Sequence, residues 1–194
     1  MYKSIFALIF SIFLAGPIFA ADLGGRVISI GSDTTYPPHE FIEDGVVKGF
    51  DVDVVAAICE RINCVPNWVT TAWDGIFPAL ANGEFDMVVS GVTITEERDK
   101  IVDFSDPYIM VQQGILMRVS DKGATIDDFK SGAMKLASQN GTTNAALGEE
   151  LVGRDNLALF DSFNNAVIAV QNGDVDGVII DSTSAAAYEQ EFAG

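Results

Sequence analysis

A nine-residue pattern occurs twice in this chain, and it constrains the fold more than any other feature. Residues 81–89 (Ala-Asn-Gly-Glu-Phe-Asp-Met-Val-Val) parallel residues 171–179 (Gln-Asn-Gly-Asp-Val-Asp-Gly-Val-Ile), with a constant offset of 90 residues between Gly83 and Gly173. Each copy reads as a helix end, an Asn-Gly turn, an acid and a buried strand. The repeat therefore predicts two lobes built alike, with a ligand in the crevice outside their strand ends.

Strand and helix signals alternate along most of the chain, which predicts an α/β fold with a largely parallel sheet. Apolar runs predict strands over 26–31, 67–70, 85–89, 135–138, 157–161 and 175–180. Helical spacing and cap signals predict a helix capped at Asp51, further helices over 76–81, 144–151 and 162–171, and a capping box of Thr125 with Asp128. We interpret an extended run over 109–118 as a strand that passes between the two lobes.

The first twenty residues are predicted to be a secretory signal peptide (1–20) that is not part of the fold. Lys3 precedes an apolar core over 5–14, and small residues lead to Ala20, where we place the cleavage site. The segment is short for a membrane span, and no second apolar segment follows it. No cysteine lies at the junction to suggest a lipid anchor, so we expect a protein of the Gram-negative periplasm.

The chain is strongly acidic, with 28 Asp and Glu residues against 11 Lys and Arg residues and a formal net charge of −17. This charge argues against nucleic acid and anionic lipid surfaces as partners. It favours a soluble, well-dispersed protein, and we expect a monomer.

Cysteine and histidine usage narrows the chemistry further. Cys59 and Cys64 are the two cysteines, and in an exported protein a disulfide is favoured over two free thiols. A metal site is not indicated, because His39 is the single histidine, and we assign His39 no role. The sequence also has no nucleophile elbow, phosphate loop or cysteine–histidine pair. Binding without catalysis, and without a cofactor, explains the residues with fewer assumptions.

The stretch that follows the first repeat, Ser90 to Arg98, has the features of an anion site. It reads as a polar loop after a buried strand, followed by a short helix capped at Thr95 whose positive end would face the strand ends. Arg98 adds a planar fork of donors that matches a carboxylate, with help from the Thr93 hydroxyl. The alternative is an ordinary surface arginine paired with Glu97 or Asp99.

The second repeat is followed by Asp181, so the two lobes would offer opposite charges. An arginine on one lobe and an aspartate on the other suit a zwitterion, with Arg98 holding an α-carboxylate and Asp181, together with Ser90, holding an α-ammonium. A ligand that lacked one charge would leave a buried group unpaired, which is costly. Alternatively, Asp181 is the cap of a helix that begins at Ser182.

Other candidates lie in loops at predicted strand ends. Tyr36 and Trp73 could sandwich a ligand side chain, including a cationic one. Asp33 could reach a basic or amide tip, and Thr142 and Thr143 would supply hydroxyls from the second lobe. Each has a plainer interpretation: Trp73 as a core residue, Tyr36 as a turn aromatic, and Asp33 as a partner of N–H groups in its own loop.

Taken together, these motifs resemble the periplasmic solute-binding proteins of polar amino-acid ABC importers, especially those that bind lysine, arginine, ornithine or histidine. The matching stretches are Gly31-Ser-Asp-Thr-Thr-Tyr-Pro-Pro, Gly49-Phe-Asp-Val-Asp, Asp74-Gly-Ile-Phe-Pro-Ala-Leu, Thr93-Ile-Thr-Glu-Glu-Arg98, Asp103-Phe-Ser-Asp-Pro-Tyr108, Gly141-Thr-Thr and Val178-Ile-Ile-Asp181. The resemblance implies the type II two-lobe fold, with lobe one over 21–110 and lobe two over 111–194. Members of that family continue with a second hinge crossing and the end of lobe one, which are absent here, so we interpret the sequence as a fragment. The alternative is a chain that never completes its first lobe, which would expose apolar surface.

The resemblance assigns roles to individual residues. Arg98 and Thr93 correspond to carboxylate contacts, and Asp181 and Ser90 to ammonium contacts. Side-chain and cleft contacts correspond to Asp33, Tyr36, Trp73 and Thr143, Gly91 stands where some relatives have a second serine, and the cysteine pair resembles the disulfide of the basic-amino-acid binders. The implied function is capture of a polar L-amino acid, with arginine, lysine, ornithine or histidine favoured, and delivery to a membrane permease. The alternative on the same fold is a cyclohexadienyl or arogenate dehydratase or a ligand-sensing domain.

Overall fold

The computed structural model describes residues 21–192 and forms the expected mixed α/β fold. The predicted signal peptide lies outside the described residues. The strands are β1 (Arg26–Ser32), β2 (Thr35–Tyr36), β3 (Glu40–Glu43), β4 (Val46–Lys48), β5 (Cys64–Thr70), β6 (Met87–Val88), β7 (Gln113–Met117), β8 (Leu136–Gln139), β9 (Leu157–Phe160) and β10 (Gly177–Asp181). The helices are α1 (Phe50–Ile62), α2 (Ile76–Ala81), α3 (Ile126–Lys130), α4 (Thr143–Val152), α5 (Phe163–Asn172) and α6 (Ser182–Glu191).

The first sheet is parallel, with the strand order β5-β1-β6. Successive side chains of its central strand, β1, point to opposite faces of the sheet. Ile30 is completely buried between α1 and the neighbouring strands. Gly31 faces the ring of Phe85, which a Cβ atom at this position would approach to 2.6 Å. The absence of a side chain there allows the aromatic ring to pack directly on the strand just before its carboxyl end.

A small antiparallel sheet, β2-β3-β4, follows β1 and leads into α1. Its register pairs Tyr36 with Glu40. Gly49 ends this sheet with a φ of 132°, and a Cβ atom there would lie 2.2 Å from the carbonyl oxygen of His39. A residue with a side chain would not fit at this position. The glycine therefore allows the start of α1 to lie close to the backbone of the loop that follows Tyr36.

The second sheet has the order β7-β10-β8-β9. β8, β9 and β10 are parallel, whereas β7 is antiparallel to β10. α4 and α5 pack on this sheet in two separate apolar clusters, one around Phe129 and Leu136 and the other around Phe163 and Val178. Both faces of the sheet are therefore covered, as in other α/β folds with parallel strands.

The two copies of the sequence repeat have the same structural role. Gly83 and Gly173 both adopt left-handed φ angles, 76° and 82°, in the turns after α2 and α5. The Asp86 carboxylate accepts a hydrogen bond from the Ser29 backbone N–H at 2.8 Å, and the Asp176 carboxylate accepts one from Lys135 N–H, also at 2.8 Å. Each aspartate thereby ties its own segment to the neighbouring strand, and these bonds hold the pKa of both carboxyls below the ordinary value.

Several predicted boundaries were wrong. α1 is preceded by Gly49 and not capped by Asp51, whose buried side chain instead accepts hydrogen bonds from elsewhere. The strand predicted over 85–89 is regular only at Met87–Val88, and the extended run over 109–118 forms a strand only at Gln113–Met117. The helix predicted after Thr95 is a single 3-10 turn, Arg98–Lys100, although Thr95 Oγ1 does accept the Arg98 N–H at 3.2 Å.

An apolar groove of about 800 Å³ runs along the first sheet between α1, α2 and residues 101–111. Its lining includes the exposed side chains of Ile58, Ile101 and Met110. Within residues 21–192, β6 is the edge strand on this side and no further layer covers the groove.

The predicted disulfide between Cys59 and Cys64 is confirmed, and it links the end of α1 to the start of β5. We expect substitution of both cysteines by serine to lower the free energy of unfolding by about 2 kcal/mol, because the bond closes a short loop. Urea unfolding of the oxidised protein and of the double variant measures this difference. Reductant should lower the stability of the wild type and leave the double variant unchanged, and an equal effect on both proteins would contradict the expectation.

Candidate functional site

The ten residues predicted to bind ligand surround one cavity where the carboxyl ends of strands from both sheets meet. The cavity is lined by Asp33, Tyr36, Trp73, Ser90, Gly91, Thr93, Arg98, Thr142, Thr143 and Asp181, and additionally by Glu40, Gln139, Asn144 and Phe163. Its volume is about 30 Å³, room for roughly two water molecules. Any larger ligand therefore requires the two lobes to move apart.

Arg98 is half-buried at this cavity and has no carboxylate partner of its own among the described residues. Its Nη1 donates to the Thr93 carbonyl at 2.9 Å and its Nη2 to the Gly141 carbonyl at 3.3 Å. The guanidinium carbon lies 5.2 Å from the centre of the Trp73 ring and 5.1 Å from that of Phe77. Burial lowers the pKa of Arg98, but not enough to discharge it at neutral pH. The surface pairing with Glu97 or Asp99 is not formed, and unused N–H donors remain on the guanidinium group.

Asp181 lies at the end of β10 and immediately before α6. It occupies the N-cap position, yet its side chain makes no capping hydrogen bond. Instead, Oδ2 accepts a hydrogen bond from the Tyr36 hydroxyl, and Oδ1 accepts one from Asn144 Nδ2 at 3.2 Å. Burial, together with the charge of Asp181, raises the pKa of Tyr36, so its hydroxyl remains a donor. The two donors orient a carboxylate that is only 6% exposed, and they leave lone pairs on it for a cation.

The loop from β1 and the loop after β6 are held together by Ser90. Its Oγ accepts the Asp33 backbone N–H at 2.9 Å and donates to Glu40 Oε1 at 2.6 Å. The next N–H, that of Gly91, donates to Asp51 Oδ2 at 2.9 Å. The Gly91 N–H is therefore already paired within the protein. That residue has a φ of 53°, and a Cβ there would lie 3.1 Å from the Tyr36 ring, so glycine allows the loop to pass close to the aromatic side chain.

Several hydrogen bonds join the two lobes across the cavity. Gln139 Nε2 donates to Asp33 Oδ2 at 2.8 Å, and Trp73 Nε1 donates to the Gly141 carbonyl at 3.1 Å. Thr93 and Thr143 approach to 3.4 Å between their hydroxyl oxygens. The structure thus has the lobes in contact, with the cavity-lining side chains of each lobe serving as partners for the other.

Trp73 and Tyr36 both line the cavity and both pack against other buried side chains. Trp73 packs with Ile76 and Phe85 in a core cluster while its indole N–H reaches the opposite lobe. Tyr36 is stacked between His39 and Phe163, with centroid distances of 5.4 and 5.2 Å. Each ring therefore contributes one edge or face to the cavity and buries the rest.

The threonines of the second lobe are arranged by the start of α4. Thr142 is the N-cap: its Oγ1 accepts the Ala145 N–H at 3.0 Å and donates to the Gln139 carbonyl at 2.7 Å. Thr143 Oγ1 accepts Gln113 Nε2 at 3.1 Å. Thr142 is thus mainly structural, whereas Thr143 presents its hydroxyl towards Thr93.

Four further residues line the cavity and were not predicted from the sequence: Glu40, Gln139, Asn144 and Phe163. Gln139 carried a usable signal, because it is a polar residue at the carboxyl end of a fully buried strand, the edge where ligands bind in such sheets. His39 was given no role, but its Nε2 lies 2.7 Å from Thr183 Oγ1 and so contributes a further bond between the lobes.

No group of three metal-ligating side chains suited to a metal ion occurs within residues 21–192. None of the helices in that range has the length and apolar character needed to cross a bilayer.

The fold is the type II two-lobe fold of periplasmic amino-acid-binding proteins, and comparison with known proteins places the chain in a family. Residues 28–176 match the profile of the bacterial extracellular solute-binding proteins, family 3, and the chain belongs to that family.

The relatives include a protein named "Probable histidine-binding protein" from Neisseria gonorrhoeae, which is 36% identical over 167 residues, 84% of this chain. The chain spans 62% of the length of that relative. An ancestral arginine-binding protein bound to arginine superposes with a TM-score of 0.82 at 32% identity, covering 88% of this chain and 76% of the other. An ancestral amino-acid-binding protein, described as a precursor of cyclohexadienyl dehydratase, superposes with a TM-score of 0.80 at 36% identity, covering 84% and 74%.

Proposed function

We propose that this protein is the periplasmic binding component of an amino-acid ABC transporter. It encloses a free polar L-amino acid between its lobes and delivers it to a membrane permease. The observation that carries the proposal is the presence of Arg98 and Asp181 at one cavity, each oriented by neighbours and each with unused hydrogen-bonding capacity. Opposite charges on the two lobes match the carboxylate and ammonium groups that all free amino acids share.

A basic ligand side chain is favoured by the rest of the cavity. Asp33 is only 6% exposed, and its carboxylate accepts from two neutral groups, Thr35 Oγ1 at 2.7 Å and Gln139 Nε2 at 2.8 Å. No cationic side chain within residues 21–192 forms an ion pair with it. The rings of Tyr36 and Trp73 add faces on which a cation is stabilised. The names of the relatives, which include binders of histidine and arginine, point to the same ligand class.

Closure follows from the contacts between the lobes. A bound amino acid would replace bonds such as Gln139–Asp33 and Arg98–Gly141 with its own, and by bridging both lobes it would stabilise the closed state over the open one. The permease would then recognise the closed form. A dehydratase activity is not part of this proposal, and we expect no product when the protein is incubated with arogenate.

Titration calorimetry against the twenty amino acids and ornithine tests the function. We expect measurable binding of one or more of arginine, lysine, ornithine and histidine, and much weaker binding of apolar amino acids. The methyl ester of the preferred ligand is the matched control, because it keeps the side chain and ammonium but removes the negative charge. Equal binding of the ester, or no binding of any amino acid, would contradict the proposal.

A further inference from the structure

Three buried polar atoms at and next to the cavity have no hydrogen-bond partner among the residues that the structure describes. They are Glu40 Oε2, Asp51 Oδ1 and His39 Nδ1. Glu40 and Asp51 are both completely buried. Orphaned buried carboxylate oxygens are costly, and two ionised carboxylates side by side would add repulsion to that cost.

One proton shared between the two carboxyl groups would give both unpaired oxygens, Glu40 Oε2 and Asp51 Oδ1, a hydrogen-bond partner. Glu40 and Asp51 are bonded to adjacent residues, since Glu40 Oε1 accepts from the Ser90 hydroxyl at 2.6 Å and Asp51 Oδ2 accepts from the Gly91 N–H at 2.9 Å. Asp51 is also among the groups that raise the pKa of Glu40, so an O–H group on one carboxyl can donate to the other. Asp51 is held as the acceptor, because its Oδ2 already accepts the Gly91 N–H at 2.9 Å and the Tyr108 hydroxyl at 3.0 Å. The proton therefore belongs on Glu40 Oε2, from which it donates to Asp51 Oδ1.

This assignment determines what Ser90 can do. With the proton on Oε2, Glu40 Oε1 is a carbonyl oxygen and can only accept a hydrogen bond. The Ser90 hydroxyl therefore uses its only proton to donate the 2.6 Å hydrogen bond to Glu40 Oε1. One Ser90 lone pair takes the Asp33 N–H at 2.9 Å, and one lone pair is left at the cavity. Ser90 is then an acceptor only, suited to an ammonium group and unable to donate to a ligand oxygen.

We propose that Glu40 shares a proton with Asp51 through Oε2 and thereby keeps Oε1 as an acceptor for the Ser90 hydroxyl, which leaves Ser90 as a hydrogen-bond acceptor at the cavity and makes Glu40 a positioning residue for the recognition of a ligand ammonium group. The inference rests on the proposed function for its ligand, but the location of the proton is independent of any ligand. It also gives a role to the buried carboxyl groups of Glu40 and Asp51, which take no part in the proposed contacts to the ligand carboxylate and ammonium.

The surrounding titratable groups are consistent with a neutral Glu40 and an ionised Asp51. Burial first, and then the charge of Asp51, raises the pKa of Glu40 well above its ordinary value, and the charge of Asp33 acts in the same direction. Burial acts to raise the pKa of Asp51 as well, but the nearby His39 ring and the hydrogen bonds from Gly91 and Tyr108 outweigh it and lower the value. His39 Nδ1 lies 3.7 Å from Asp51 Oδ1, and Tyr36 is the remaining titratable neighbour of Glu40.

Variants of Glu40 separate positioning from simple packing. In Glu40→Gln the amide oxygen can accept from Ser90 while the amide N–H donates to Asp51, so the variant reproduces the neutral acid. Glu40→Met has a similar volume but no acceptor, and we expect it to weaken binding of the preferred amino acid about tenfold or more, with Glu40→Gln restoring most of that loss. In a Ser90→Ala background the effect of Glu40→Met should largely vanish. The surface variant Glu43→Gln, whose partner is Lys48, is the matched control.

Two ligand-free measurements test the proton itself. Infrared difference spectroscopy between wild type and Glu40→Gln should show the carbonyl stretch of a protonated carboxylic acid at neutral pH. The folded protein would retain this proton while the unfolded chain releases it above about pH 4.5, the ordinary value for Glu, so wild-type stability falls as pH rises from there. Glu40→Gln lacks this loss, and its stability relative to wild type should increase with pH.

The outcomes are distinguishable. Absence of the acid band at neutral pH, or equal loss of binding in Glu40→Gln and Glu40→Met, would overturn the inference. If the band is present but wild type binds no amino acid, the proposed function fails while the proton assignment stands.

Discussion

Replacement of Arg98 by alanine is expected to weaken binding of the preferred amino acid about thirtyfold or more, equivalent to a loss of about 2 kcal/mol. The guanidinium is half-buried, stacked near two aromatic rings and bonded to two backbone carbonyls, so it is already oriented before a ligand arrives. Its removal would leave a ligand carboxylate enclosed without a counter-charge. Arg98→Lys should recover only part of the loss, because a single ammonium cannot bind both carboxylate oxygens.

Calorimetry on the folded variants measures this effect, and Arg154→Ala provides the control. Arg154 pairs with Glu149 on the surface, where its side chain is 74% exposed, so its loss should leave affinity unchanged. Affinity of Arg98→Ala within about threefold of wild type would rule out the carboxylate assignment.

Replacement of Asp181 by asparagine is expected to cost a similar factor, about thirtyfold or more. The substitution removes the negative charge but keeps the shape, and the Tyr36 hydroxyl can still donate to the amide oxygen. The fold should therefore persist while the ligand ammonium loses its counter-charge. Asp155→Asn, at an exposed position in the second lobe, is the control for a change of net charge.

An analogue of the ligand makes this second prediction specific. A compound with the same side chain and carboxylate but no α-amino group should bind wild type weakly and should gain nothing from Asp181. We expect Asp181→Asn to lower the affinity for the complete amino acid and to leave that for the analogue unchanged or improved. An equal loss for both compounds would show that Asp181 supports the cavity without meeting the ammonium.

Much of the fold was accessible from local pattern. The repeat around Gly83 and Gly173 correctly indicated two similar units, because an Asn-Gly turn needs a left-handed residue and a buried strand needs an apolar run. Boundaries were less accessible. Asp51 looks like a helix cap in sequence, but its carboxylate is drawn inward by Gly91 N–H and the Tyr108 hydroxyl, groups about forty and sixty residues away.

The same distinction applies to the cavity. Arg98 and Asp181 could be named because a charged residue that follows a buried strand lies at the edge where ligands bind. Glu40 could not, since nothing local to a short edge hairpin indicates that its carboxyl lies under Ser90 and against Asp51. The domain limits at 110 and 111, and the ligand roles of the ten residues, remain predictions.

Local patterns in the sequence were enough to predict the core strands of both sheets, most of the helices that pack on them and the charged residues at the strand ends. Those properties depend on neighbours within a few positions, where periodicity and turn chemistry operate. The folded structure was needed to show that Asp33 meets Gln139, that Tyr36 orients Asp181, and that Glu40 shares its environment with Asp51. These contacts join residues far apart in the chain, and the protonation of a buried carboxyl depends on the charges packed around it.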